Sequence, residues 1–333
     1  MEKAYNLFKK FLPIVITLSL VSLIFGLITM INYYNSYTVS IDFANVIPIF
    51  AIIFIVASLA TAIYFSVKVE APQIKRLKKS SGFSKFATLL VAILAIALFL
   101  YDFLKFVDQP ALSFSTQSKL FKTLRLLVFV QFIVYLVIGI LPKKIKHKKI
   151  EIPKWVKPFT AVCTVIWCIL GIASIYFFNG LATTNLFKII FVFYYIALTV
   201  FFLFESRFEI FGTGHKAYMI SSLIMFIYSI AIVGSIMSAQ FLGYLSEVSI
   251  SEFEIFLAAA LGIYALSKLF AMQQTMKYII SKDESDSGRH HRHRHHSSSN
   301  KGASEASADA VKEAPVAEAS STDKAVINEG EAK

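Results

Sequence analysis

The sequence predicts an all-α integral membrane protein: a bundle of eight transmembrane helices, both termini cytoplasmic, and a disordered C-terminal tail. Three observations carry that expectation. The first is composition, with 56% hydrophobic residues, only 16% charged residues and a mean hydropathy of +0.65 over 333 residues. A soluble domain covers its surface with roughly 25% charged residues, so a soluble enzyme and a disordered chain are both excluded. A disulfide scaffold is excluded too, because the chain has only two cysteines. The second observation is a series of eight apolar runs, and the third is a one-sided distribution of Lys and Arg.

A helix needs roughly 20 apolar residues to cross a hydrocarbon core that offers no water to its backbone groups. Runs of that kind lie at 12–31, 46–67, 86–106, 124–141, 159–178, 186–205, 218–238 and 253–272. The first follows Lys9 and Lys10 and ends at Tyr33 and Tyr34, with no small-residue cleavage site, so it reads as a retained span. The second and seventh carry small residues four apart (Ser58/Ala62 and Ala231/Ser235), as do the first (Ser22/Gly26) and the last (Ala258/Gly262). Such faces let backbones approach closely, within one bundle or between two copies as a homo-oligomer. The third run ends in Asp102 and Lys105, three apart and so on one helical face. They read as an interfacial pair or as an outer gate. The fourth run is short and holds Gln131, an intramembrane amide expected to bond between helices.

The fifth run contains Cys163 and Cys168. Five residues on a helix separate them by about 7.5 Å along the axis, too far for a disulfide. The sixth opens with Lys188, expected to snorkel to the interface, and closes at Glu205. A densely polar stretch follows, with Glu205, Arg207, Glu209, His215 and Lys216 around Gly212 and Gly214. On a continuing helix Glu205 and Glu209 share a face and Arg207 lies on another. The two glycines end the helix and return His215 and Lys216 to the surface. This cluster is the candidate for acid/base work or metal binding, although an ordinary polar loop explains it as well. The central third of every run is free of charge, which argues against a proton relay or an ion site at mid-depth.

Orientation follows from the loops. With the N-terminus cytoplasmic, 21 Lys and Arg residues fall on the inner side and 5 on the outer, which satisfies the positive-inside rule. Two loops, 75–79 (KRLKK) and 143–149 (KKIKHKK), are strongly basic and suit anionic lipid head groups. Nucleic acid is not an expected partner, because no aromatic residues interleave these charges. Residues 1–282 therefore form the membrane domain. Residues 283–333 hold 10 acidic and 7 basic residues without an aromatic one, and form the tail. Its Arg/His tract at 289–296 (RHHRHRHH) reads as a solvated linker, with lipid or metal contact as alternatives.

No cofactor is expected: the GTG at 212–214 lacks the ending of a phosphate loop, and neither HExxH nor a nucleophile elbow occurs. Abundant Lys, Ile, Phe, Tyr and Asn point to an AT-rich genome, hence to a bacterial plasma membrane. The leading functional expectation is a non-catalytic organising or interaction protein. A permease for an apolar or neutral solute comes second, and an enzyme using the 205–216 loop third.

Overall fold

Every apolar run forms a helix, and most helices extend beyond the run that marks them. The computed structural model describes residues 2–35, 40–69, 74, 77, 82–108, 116–141, 144–145, 148–149, 151–178, 186–243 and 252–296. The helices are α1 (Glu2–Asn32), α2 (Val46–Lys68), α3 (Gly82–Asp108), α4 (Thr116–Ile140), α5 (Val156–Ala173), α6 (Leu186–Phe211), α7 (His215–Ile227), α8 (Gly234–Phe241) and α9 (Glu252–His296). A π-helical turn, Ser174–Phe178, prolongs α5. A second, Tyr228–Val233, joins α7 to α8, so these two make a single seventh span. Two short antiparallel ladders complete the described chain: β1 (Tyr34–Asn35) with β2 (Ser40–Ile41), and β3 (Lys144–Ile145) with β4 (Lys148–Lys149). Eight helical segments are long and apolar enough to cross a membrane, as a multi-pass membrane protein requires.

The eight spans are not equivalent. The seventh (His215–Phe241) and the last (Phe253–Lys282) have 72% of their most apolar window buried, against 22–44% for the others. These two are the central helices, and small residues make that possible. Ala231, Ser235 and Ala239 on one, and Ala258, Ala265 and Ser267 on the other, are almost fully buried. Gly262 approaches α7–α8 so closely that a Cβ there would lie 2.5 Å from Ser229 Cβ. The outer helices instead expose large apolar side chains such as Val56, Ile93, Leu127, Val162 and Phe193. Lipid tolerates that exposure, whereas water would not.

Ring contacts fix the helix directions. Along α3 and α9, Phe83 meets Phe270 and Tyr101 meets Phe253, so these helices run antiparallel. Phe8 meets Phe65 and Phe25 meets Phe50, which sets α1 antiparallel to α2. Gly26 packs on Ser235 of α8, while Gly171 packs on Tyr195 of α6. These two glycines, placed alike in the first and fifth spans, thus serve unlike contacts.

The chain divides into two units, Met1–Glu284 and Ser285–Lys333. The backbone of α9 stays helical as far as His296, the end of the Arg/His tract. Extending a formed helix avoids the nucleation cost that a free segment would meet. The side chains of 283–296, and the disorder expected of 297–333, lie outside the described residues, as do most of the 75–79 loop and the side chains of 143–149.

Candidate functional site

The α6–α7 turn is set by glycine. Gly212 and Gly214 have φ of 68° and 79°, values that only glycine adopts without strain. Gly212 donates its N–H to Phe208 O (2.9 Å), closing α6 as the sequence predicts. The turn points α7 back along α6 and brings Tyr218 against Phe208.

Nearly two turns before that end, Glu205 is wholly buried. Three donors converge on its Oε1: Tyr264 Oη at 2.7 Å, Lys268 Nζ at 2.9 Å and Tyr218 Oη at 3.2 Å. Lys268 also reaches Glu209 Oε1 at 3.6 Å, and Lys157 of α5 holds Glu209 Oε2 at 2.6 Å. Two carboxylates and two ammonium groups therefore balance. Burying each ion costs several kcal/mol, which only such pairing offsets. Glu205 Oε2, Tyr135 Oη and Ser206 Oγ are buried with no hydrogen-bond partner among the described residues.

A second cluster lies one apolar layer away, where α4, α6 and α9 meet. Arg125 of α4 donates through Nη2 to Glu254 Oε1 of α9 at 3.1 Å and to Tyr195 Oη of α6 at 2.9 Å. Its Nη1 donates to Ser174 Oγ, the first residue of the π turn, at 3.2 Å. Tyr195 in turn donates a short hydrogen bond to Glu254. Between the clusters, α6 presents Leu198, Phe201 and Phe202, all fully buried. Phe132 stacks on Trp167 at 4.5 Å between ring centroids and meets Phe202 edge-on. From Tyr195 to Glu205 this apolar layer is about 15 Å deep at the helical rise.

The structure unites some of the sequence candidates and scatters others. Glu205 and Glu209, one turn apart on α6, share the Lys268 ammonium. Arg207 is exposed, its stem against Gly214. His215 begins α7 with Nε2 buried and unpartnered, and Lys216 is half-buried without an ion pair among the described residues. Gln131 is half-buried and belongs to neither cluster. Asp102 and Lys105 line a cavity, where the Lys105 ammonium stands 4.3 Å over the Tyr101 ring. Lys188 is buried, 5.4 Å from the centroid of the Tyr176 ring. Both cysteines are free, Cys168 buried and Cys163 half-exposed. Among the described residues no group of three or more His, Cys, Asp and Glu could hold a metal ion.

Sequence reasoning missed Lys268, Tyr264 and Tyr218 at one end, and Arg125, Glu254 and Tyr195 at the other. Arg125 and Lys268 lie inside the runs at 124–141 and 253–272 but count there only towards the orientation of the chain. The last span extends over Phe253–Lys282, which places Lys268 at its middle. The central third of the 253–272 run is uncharged, but the longer helix carries a charge at its mid-length. A signal was present, since Tyr264 and Lys268 are four apart within an apolar stretch, as are Glu205 and Glu209.

Fold and clusters together define a class, a multi-pass membrane protein whose inner helices carry ion-paired residues. Compared with known proteins, the chain matches no family model, no curated protein and no solved structure.

Proposed function

We propose that the protein is a permease-type carrier for a small solute, described here in a state closed at both ends. The observation that carries this reading is that α9 joins two buried charged clusters, one with Glu205 and Glu209 of α6 and one with Arg125 of α4, with an aromatic layer between. A bundle that only organises partners has no need of buried ions, and apolar residues of similar volume would serve it as well or better. Ionisable groups within spans ordinarily mark a pathway or a moving part. Ion pairs that re-form on either side of a barrier are a means of switching between two discrete packings. The two π turns favour the same reading. Such turns are frequent at functional sites, and here one begins at the residue that Arg125 holds.

On this reading the loop lysines face the cytoplasm of a bacterial cell, the basic loops meet anionic lipid, and the Glu205 clasp is the inner one. The enzyme reading is weaker, because Arg207, His215 and Lys216 do not join Glu205 and Glu209. The test is counterflow in proteoliposomes of the purified chain, with a panel of small anionic, neutral and cationic solutes. The expected result is saturable exchange of one class, reduced at least about tenfold by Glu205→Gln, the loss that one charged contact brings. Rates equal to those of protein-free vesicles for the whole panel would remove the carrier reading.

A further inference from the structure

Beside the Arg125 cluster, a cavity of about 200 Å³ opens between α3, α4 and α5. Its lining divides by chemistry. Asp102, Lys105 and Arg125 bring charge, with Asp102 and Lys105 at the exposed side. Phe129 and Trp167 close the buried side. Lys122 also lines the cavity but has an interaction of its own, so it stays out of the balance. The other two cations are offset by Asp102 and by Glu254, which is bonded to Arg125. The charges cancel, yet they are not all joined to one another. Among the described residues Asp102 makes no hydrogen bond or ion pair, although Arg125 and Lys105 both lie within electrostatic reach of it. The Lys105 ammonium stands over the Tyr101 ring instead. Arg125 has donors to spare. A guanidinium carries five N–H groups, and among the described residues three are engaged, by Ser174, Tyr195 and Glu254. Its Nε makes no bond there and is not buried. An unbonded carboxylate thus stands near unbonded guanidinium donors, beside an aromatic wall.

We propose that this cavity binds a small zwitterion, an ammonium and a carboxylate or phosphate oxyanion a few atoms apart beside an apolar group. The ammonium pairs with Asp102. The oxyanion pairs with the spare donors of Arg125 and with Lys105, since a planar guanidinium matches such oxygens. The apolar group lies against Trp167 and Phe129. The size agrees with a short amino acid, because 200 Å³ holds about seven groups at the roughly 30 Å³ share of a water molecule. A simple anion would be set against Asp102, and a simple cation against Lys105 and Arg125; such mismatches are what exclude the wrong ligand. A ligand of no net charge also falls within the neutral class that the sequence expects of a permease. As a loading site the cavity rests on the carrier reading; as a binding site it stands without it.

Trp167 provides a built-in reporter. The chain has two tryptophans, and the other, Trp155, is exposed. In a Trp155→Phe background, the full chain, delipidated in the non-ionic detergent dodecyl maltoside, is titrated at neutral pH while Trp167 emission is followed. The probes are valine, isovalerate, isobutylamine and isovaleramide, which share a branched apolar group and differ in charge. The expected result is a saturable change with valine alone. Asp102→Asn lowers its apparent affinity about fivefold, the worth of one exposed charge contact. The same variant gains isovalerate binding, because its cations have lost their facing carboxylate, and Asp102→Glu keeps the parent preference. That exchange of selectivity separates lost charge from lost fold. A second series with phosphatidylethanolamine added to the micelles distinguishes the sources of the ligand. A valine curve displaced by the lipid assigns the site to a head group, and an unchanged curve assigns it to a free amino acid; both uphold the site. No saturable response to valine overturns the proposal, as does an equal response to any other probe. Full valine affinity in Asp102→Asn, or no isovalerate binding by it, overturns the proposal too. Valine binding without counterflow would keep this site and remove the carrier reading alone; counterflow of another solute class without valine binding would do the reverse.

Discussion

The Glu205 and Arg125 clusters are assembled from similar parts, carboxylates, long cationic side chains and tyrosine hydroxyls; the first joins α6 and α9 with α5 and α7, the second joins them with α4. They differ in wetness. The Glu205 side chain has no exposure and Lys268 has 11%, whereas Glu254 and Arg125 keep 17% and 22%. The first cluster is sealed under Tyr218, Tyr264 and Phe208. The second borders an open cavity and ends on a π turn. The same chemistry should therefore act as a rigid clasp at one end and as an adjustable one at the other, because attraction and desolvation both weaken with water nearby.

The comparison breaks most severely at Glu205. Replacing it with Ala leaves Lys268 buried without its nearest partner, an expected loss of about 3–5 kcal/mol. Thermal unfolding in detergent reads that loss, and Glu205→Gln/Lys268→Met should recover most of it. If the single and double variants melt alike, the pair is not the stabilising unit. Next comes Gly171→Ala. A Cβ there would lie 2.4 Å from the Tyr195 ring, and Tyr195 cannot retreat without releasing Arg125 and Glu254. Such overpacking costs about 1–3 kcal/mol, and chemical-denaturant melts would show no change if α5 and α6 simply part.

Glu254→Gln should cost less, about 1 kcal/mol, because water still reaches both partners. Its cost should shrink as NaCl rises towards roughly 1 M, where screening acts within a few ångströms, while that of Glu205→Gln stays constant. Equal salt dependence at both ends would erase the distinction between them. Smallest is Lys157→Ala. Its ammonium holds Glu209 but is 41% exposed, and Lys268 remains to serve Glu209. A shift beyond about 1 kcal/mol in the same melts would contradict that ranking.

The helices were legible in the sequence because apolar length alone makes a span. The pairing of Glu205 with Glu209 and the glycine turn were legible because both are local. The cross-bundle partners were not. Arg125 and Glu254 are 129 residues apart, and Glu205 and Tyr264 are 59 apart. In lipid, no alternation of apolar and polar faces reports which helix a side chain meets. Arg207, only two residues from Glu205, points elsewhere as its spacing predicts, because i and i+2 occupy different faces. Arg125 and Lys268 lie within the apolar runs, but near their ends, where a charge reads as interfacial.

The central claim is that the two clasps close opposite ends of one path, and Cys168 tests it most directly. It is buried beside Trp167, with the half-exposed Cys163 replaced by Ser for the purpose. Labelling by a membrane-impermeant maleimide is measured from each side of sealed vesicles. The account predicts a protected Cys168 in the parent, labelling from the Arg125 side in Glu254→Gln, and labelling from the Glu205 side in Glu205→Gln. Equal protection in all three, or labelling from both sides at once, would contradict it.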